Sequence, residues 1–265
     1  MRQRTLESEI LLAIKASERR ASLLDSISRY RLNTEHEAVS TDYPVSWTGY
    51  QKIFYWMDGV GPRTLFFYGH PGAGKTTMTY QVFDKLQRGH GADPTTGLAF
   101  VPIQRAEAEP ALRSERDILF AILRQPVERR PALMQKIQQP GASSITTNLD
   151  LVRDITICIG TMSRVFVFVD ALDEFSGNTS SLITVLLALV SNPTVFLLLT
   201  SATTYARIES VMDPSIAISR FRSEDASIEK FTQNEPRYLC SSMLQDDTHL
   251  LDDITRQITR MSDGV

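Results

Sequence analysis

The chain has 265 residues, 42% of them hydrophobic and 22% charged, with a formal net charge of -3. These proportions suit one large globular domain, or one domain with helical additions. The small negative charge gives no general attraction to nucleic acid or anionic membranes, so we predict no nucleic-acid partner. The longest apolar stretch covers residues 182–190. It is far shorter than the roughly 20 residues that span a bilayer, so we predict no membrane span and a cytoplasmic location.

Apolar residues recur at helical spacing in six segments, which we predict to be helices: 5–32, 47–57, 77–86, 114–123, 149–162 and 181–190. Four short, continuous apolar runs predict buried strands: 64–68, 98–103, 165–169 and 195–199. Residues 126–144 contain three prolines and a glycine, and we expect a mixture of short helix and loop there. From about residue 225 onward the pattern is again helical. The alternation of strands and helices predicts an α/β fold with a parallel sheet.

A glycine-rich run lies between the first predicted strand and the helix after it. Glycines at three of its positions let backbone N–H groups surround an anion, and the following helix adds the positive end of its dipole. The lysine of the run is expected to reach the β- and γ-phosphates, and Thr76 to bind magnesium. The sequence therefore predicts a P-loop that holds ATP or GTP, formed by Gly69, His70, Pro71, Gly72, Ala73, Gly74, Lys75, Thr76 and Thr77.

Acidic residues follow the predicted strand 165–169. A P-loop needs a carboxylate at the end of a neighbouring strand to hold magnesium through its water shell, and Asp170 fits that role. Asp173 and Glu174 come three and four residues later, where a carboxylate is able to orient or deprotonate an attacking water. We predict Thr76 and Asp170 as the metal site, with Asp173 and Glu174 as catalytic residues.

The run Asp170-Ala171-Leu172-Asp173-Glu174 resembles the Walker B segment of NACHT-family STAND nucleotide switches, which has Asp, a small residue, an apolar residue, Asp and Glu. The P-loop and the upstream segment 56–59 are similar to theirs, and the layout is especially similar to fungal NLR-like proteins. The resemblance covers residues 45–265, with 1–44 a weaker match to the helical region before the NACHT module. It implies a P-loop NTPase three-layer αβα sandwich with a parallel central sheet over 45–222, followed by a small helical domain over 223–265.

The same resemblance implies a switch that cycles between ADP-bound and ATP-bound forms and oligomerises when active. The expected cofactors are ATP/ADP and Mg²⁺. The expected partners are the nucleotide and either further copies of the chain or signalling proteins, in a fungal immune or incompatibility context. The family usually has an arginine that senses the γ-phosphate after a strand-ending Thr-Ser, but here Ala202 stands at that position and Arg207 follows five residues later. The chain also stops where the family's winged-helix domain is expected to start.

Two other functions remain open from the sequence. A small-molecule P-loop kinase needs an arginine-rich lid, which Arg124, Arg129 and Arg130 could supply. A degenerate module that binds nucleotide without turnover is consistent with Ala202, because loss of a cation near developing charge weakens hydrolysis.

Overall fold

A computed structural model of the chain describes residues 50–103, 114–130, 132–133, 147–202 and 216–221. Within these ranges, helices alternate with the strands of a five-stranded sheet whose neighbouring strands all run parallel. The fold is therefore α/β, as predicted. The predicted helix over residues 5–32 and the predicted helical region after residue 225 lie outside the described residues, so the domain limits stay predictions.

The helices are α1 (Tyr50–Asp58), α2 (Lys75–His90), α3 (Glu115–Arg129), α4 (Asn148–Ile159) and α5 (Thr179–Val190). The strands are β1 (Thr64–Tyr68), β2 (Thr96–Pro102), β3 (Arg164–Asp170), β4 (Val195–Ser201) and β5 (Ile216–Arg220), and a single 3₁₀ turn over Leu172–Glu174 follows β3. Each helix and strand predicted within the described ranges is present; β1 has its predicted bounds, and the other elements have shifted ends.

The strands lie in the order β2-β3-β4-β1-β5. The P-loop strand β1 is thus flanked by β4 and β5, and β4 separates it from β3. The sequence predicted that Asp170 would end a strand neighbouring β1. This is wrong, because β3 is the second strand from β1. Because all five strands are parallel, their carboxyl ends still meet at one edge of the sheet.

Successive strand residues point to opposite faces, and each face has its own apolar core. On one face, Leu65 and Phe67 pack with α1 and α2, and on the other, Phe66 packs with α3, α4 and α5. The fold therefore has three layers, helices on both sides of a central sheet. This coverage explains why β3 and β4 are continuous apolar runs in the sequence.

Trp56 anchors α1 to the sheet. Its side chain has 0% exposure, its ring packs edge-on against Phe166, Phe168 and Phe196, and its Nε1 donates to the carbonyl oxygen of Arg63 at 3.0 Å. Buried aromatic residues of this kind contribute about 3–5 kcal/mol to stability when truncation to alanine is the measure. Trp56, the first residue of the family-like segment 56–59, thus has a packing role.

Two features of the fold differ from the sequence prediction. The strand β5 was not predicted. It pairs only with β1, at the edge of the described sheet, and its residues 217–219 are half-buried. Its sequence therefore lacks the continuous apolar run that identified the other strands. Pro126 lies inside α3 rather than at the start of a mixed loop region. Pro126 is buried, and the helix continues to Arg129, where Arg130 N–H donates to the Pro126 carbonyl at 3.0 Å.

Candidate functional site

The P-loop starts in a tightly packed position at the end of β1. Gly69 N–H donates to the Ser201 carbonyl at 3.2 Å, which ties the loop to the end of β4. A Cβ added to Gly69 would lie 2.6 Å from the carbonyl oxygen of Phe221, the residue that follows β5. Only glycine fits between these two neighbouring strand ends without a shift of backbone.

The start of α2 differs from those of the next three helices. Side-chain oxygens of Ser114, Thr147 and Asn178 cap α3, α4 and α5. By contrast, α2 follows Gly74 (φ 89°), which supplies no side-chain cap. The first-turn N–H groups of α2 therefore have neither intrahelical acceptors nor a side-chain cap, which suits them to hold an anion.

The remaining P-loop residues present both an open and a closed side. His70, Pro71 and Gly72 are exposed, and a Cβ added to Gly72 would meet nothing within 4 Å. Ala73 is buried, and its N–H donates to the His70 carbonyl at 3.2 Å. The loop is thus packed against the protein at Ala73 and exposed at His70–Gly72, an arrangement that leaves room for a phosphate. Thr77, also predicted to bind the cofactor, is half-buried in the first turn of α2.

Lys75 is buried with its ammonium inside the loop. Nζ donates to the carbonyl oxygens of Gly69 and His70, each at 2.8 Å. Burial lowers the pKa of Lys75, while the charges of Asp173 and Asp170 act in the opposite direction. An ammonium has three donors, so one donor remains beyond these two contacts.

Asp170 ends β3 and faces the first turn of α2. It is 2% exposed, and its Oδ2 accepts a hydrogen bond from Thr76 Oγ1 at 2.7 Å. Its Oδ1 accepts from Thr200 and, at 3.5 Å, from Thr79. These hydroxyl donors hold the carboxylate in one orientation.

Thr76 and Asp170 fit the requirements of a magnesium site. The Thr76 hydroxyl uses its single proton toward Asp170 and keeps lone pairs for a cation, and Thr76 is exposed. Oxygen ligands of this kind are those that Mg²⁺ prefers. The two predicted metal-site residues, 94 positions apart in the chain, are therefore brought together.

Asp173 lies against the end of β4. After β3 the backbone turns sharply at Ala171 (φ 60°, ψ 51°), whose N–H donates to Thr200 Oγ1 at 2.9 Å. The following 3₁₀ turn directs Asp173 Oδ1 to accept from Ser201 Oγ at 3.2 Å and from the backbone N–H of Ala202. Glu174 is half-buried on the same turn. The end of β4 thus contacts both the P-loop and the acidic turn.

Sequence reasoning assigned no role in the site to three residues that the structure brings there. Thr200 and Ser201 end the buried strand β4, and polar residues after an apolar strand are the same signal that identified Asp170. Arg220 ends β5, and its Nη2 lies 3.4 Å from Nε2 of the P-loop residue His70. Because β5 was not predicted, nothing pointed to it. Arg207 lies outside the described residues.

A family model gives the relationship of this fold to known proteins. The model for the N-terminal region of nephrocystin 3 matches residues 47–202, more than half of the chain. The chain belongs to this family. The match contains β1 to β4, the P-loop and the acidic turn, so the predicted NACHT-like P-loop NTPase is confirmed. No curated protein matches the chain in sequence.

Several solved structures are similar in fold. Drosophila ORC bound to DNA has 16% identity and a TM-score of 0.44, covering 76% of this chain and 48% of its own. The Aeropyrum pernix ORC1 protein in complex with DNA has 10% identity and a TM-score of 0.43, covering 73% of this chain and 50% of its own. This chain of the nephrocystin-3 N-terminal family therefore spans about half the length of these relatives.

These two relatives correct one prediction about partners. Both are described as bound to DNA, so the prediction of no nucleic-acid partner is wrong as an exclusion. It rested on net charge, which is a sum over the whole chain and does not report the charge of one surface. As for membranes, no helix within the described ranges has the length and hydropathy to cross one.

Proposed function

We propose that the chain is a nucleotide-binding switch of the NACHT/STAND type that binds ATP or ADP with Mg²⁺ and hydrolyses ATP slowly. The observation that carries the proposal is the 2.7 Å contact between Thr76 and Asp170 beside the uncapped start of α2. A hydroxyl, a fixed carboxylate, a buried lysine and free helix N–H groups at one point match the needs of a phosphate chain with its metal.

Each part of the site has a separate role in binding. The loop and first-turn N–H groups hold the phosphates, and Lys75 exchanges its two carbonyl acceptors for the β- and γ-phosphate oxygens. Thr76 would hold Mg²⁺ directly and Asp170 would hold it through water. When bound, the ion neutralises charge on the phosphates and so favours transfer of the terminal phosphoryl group.

Hydrolysis is expected to be slow for two reasons. A carboxylate must accept a proton from, or orient, the attacking water, but Asp173 Oδ1 already accepts hydrogen bonds from Ser201 and the N–H of Ala202, which leaves only Oδ2 for that role. In addition, residue 202 brings no cation toward the charge that develops on the phosphates. Glu174, on the same turn, is the second candidate for orienting the water.

The alternatives differ in how well the geometry supports them. A nucleotide-binding module with no turnover is favoured by the contacts of Asp173 and the uncharged side chain of Ala202. The kinase alternative loses support, because Arg130 donates to the carbonyl oxygen of Asp93 at 2.7 Å, at the amino end of β2 and away from the P-loop edge. Arg129, its neighbour, lies at the same helix end, and Arg124 pairs with Glu128 on α3.

Single-turnover phosphate release tests the proposal against both alternatives. Protein in excess over γ-labelled ATP with Mg²⁺ is expected to release phosphate slowly and to retain ADP. Glu174→Gln and Asp173→Asn identify the water-orienting carboxylate, since the essential one should abolish release while ATP still binds. ATP binding without phosphate release in the wild type would favour the module without turnover. Transfer of the label to a metabolite would support the kinase and contradict both the switch and the module.

A further inference from the structure

Arg220 lies at the P-loop edge of the sheet. It is the last residue of β5 and stands in register with Tyr68, the last residue of β1. Since the two strands are parallel, both end directly beside the P-loop. The Arg220 guanidinium is exposed, and its Nη2 lies 3.4 Å from the ring of His70, the second residue of the loop.

The backbone that carries Arg220 is held firmly. Phe221 N–H donates to the Tyr68 carbonyl at 2.7 Å, and the Phe221 ring, 1% exposed, packs edge-on against Phe67. The Phe221 carbonyl oxygen lies 2.6 Å from the position that a Cβ on Gly69 would take. The Arg220 Cα is therefore fixed relative to the P-loop, while its exposed side chain is free to reorient.

The charges at this edge are distributed unevenly. Asp170, Asp173 and Glu174 lie on the β3 side of Lys75, whereas Arg220 lies on the β5 side. Within the described ranges, the His70 ring is the polar group that contacts the Arg220 guanidinium, and no carboxylate there pairs with it. An imidazole does not neutralise a guanidinium, so a positive charge with several free donors stands beside the loop.

We propose that Arg220 binds the terminal phosphate of a nucleoside triphosphate from the β5 side and so distinguishes ATP from ADP. The inference rests on the proposed function, because it requires phosphates in the P-loop. Arg220 would approach the bound terminal phosphate from the end of β5, on the opposite side of β1 from residue 202. The planar guanidinium suits paired hydrogen bonds to phosphate oxygens. Arg220 also lies beyond residues 47–202, so the family match does not include it.

The ratio of ATP to ADP affinity tests this role. Calorimetric titration with Mg·ATP and Mg·ADP compares the wild type with Arg220→Gln and Arg220→Lys. We expect Arg220→Gln to weaken ATP binding about tenfold and ADP binding less than twofold, since a charge-assisted phosphate contact is lost. Arg220→Lys keeps the charge but loses the planar, paired donors of the guanidinium. Its ratio of ATP to ADP affinity should lie between those of the wild type and Arg220→Gln.

Arg88→Gln is the matched control. It removes an exposed positive charge from the far end of α2, about 20 Å along the helix from Lys75, and it should change neither affinity. An equal loss for ATP and ADP in Arg220→Gln, or no loss, would contradict the proposal. If Arg220→Gln does not fold, the ratio in Arg220→Lys decides: a fall of about threefold supports the role and an unchanged ratio contradicts it. A wild type that binds neither nucleotide would refute the proposed function and this inference together.

Discussion

Burial and two neighbouring carboxylates act in opposite directions on the pKa of Lys75. Lys75 is buried and donates to carbonyl oxygens of its own loop, while Asp170 and Asp173 lie close enough to oppose the lowering of its pKa by burial. Burial of an ammonium disfavours folding even when donors are satisfied. In the proposed function, Lys75 therefore contributes to binding at some cost in stability.

The variant Lys75→Met separates these two effects. The methionine side chain is unbranched, uncharged and one heavy atom shorter than that of lysine, so the nucleotide-free protein should melt no lower than the wild type, while Mg·ATP affinity falls at least about a hundredfold. Because the folded-state pKa of Lys75 lies below its unfolded value, wild-type stability should rise relative to the variant as the pH increases through the folded-state pKa toward 10.5. Thermal melts at several pH values and calorimetry measure both. Unchanged ATP affinity would mean that the phosphate site is assigned wrongly.

The variant Asp170→Asn tests the metal site. The amide keeps the size of the carboxylate but removes its charge and one acceptor, so hydroxyls from α2 and β4 must reorient. We expect a loss of about 1–3 kcal/mol in unfolding free energy and loss of the Mg²⁺ dependence of ATP affinity. Titrations with Mg²⁺ and with a chelator measure the dependence. Asp84→Asn, on the same helix as Thr76, is the control and should retain it.

Residue identities were predictable where a motif fixed their role. Thr76 and Asp170 were paired from the sequence because glycine spacing and a strand-ending carboxylate each carry chemical meaning. Their distance could not be predicted, since it depends on the order of the strands. Ser201 was overlooked for the same reason: its contact with Asp173 exists because β4 lies between β1 and β3.

At the level of elements, the end of β4 links the two halves of the site. The Ser201 carbonyl accepts from Gly69 in the P-loop, and its hydroxyl donates to Asp173 on the acidic turn. A shift of the P-loop on phosphate binding would therefore be transmitted to Asp173 on the acidic turn through Ser201. Residue 202 is the next position along this connection.

The variant Ala202→Arg is expected to accelerate hydrolysis. A cation there would stabilise charge that develops on the transferred phosphoryl group, and we expect an increase of about tenfold or more in single-turnover phosphate release. Ala202→Gln adds similar bulk without charge and should give no increase. Equal rates in the two variants would show that charge at this position does not limit turnover.

The junction of β1, β5 and the P-loop requires a residue without a side chain at position 69. Gly69→Ala would place its Cβ against the Phe221 carbonyl and should lower the unfolding free energy by about 1–3 kcal/mol, with weaker ATP binding. Gly89→Ala is the control: its Cβ would meet nothing within 4 Å in α2, and it should raise stability by about 0.5–1 kcal/mol. Chemical denaturation measures both. Equal stability of the two variants would contradict the packing described at Gly69.

Elements with a continuous apolar pattern were predictable, and those decided by tertiary contacts were not. β1 matched its predicted residues because Thr64–Tyr68 is apolar and bounded by polar or glycine residues. β5 was missed because an edge strand is covered on fewer sides and needs fewer apolar residues. Pro126 was expected to leave the helical pattern, yet its buried ring and the capping contact of Arg130 let α3 continue.

For the whole molecule, the strand order gives the site its form. Placing β4 between β1 and β3 brings Thr200 and Ser201 to the same edge as the P-loop, and placing β5 on the other side of β1 brings Arg220 there. The result is a P-loop with carboxylates on one side and a guanidinium on the other. The fungal context and the cytoplasmic location stay predictions.

Calorimetric titration of the purified chain with Mg·ATP tests the central claim most directly. The account predicts saturable binding of one nucleotide per chain, with an affinity that weakens when Mg²⁺ is chelated. Absence of saturation with either ATP or ADP at millimolar concentration, in protein shown to be folded by its thermal transition, would contradict it.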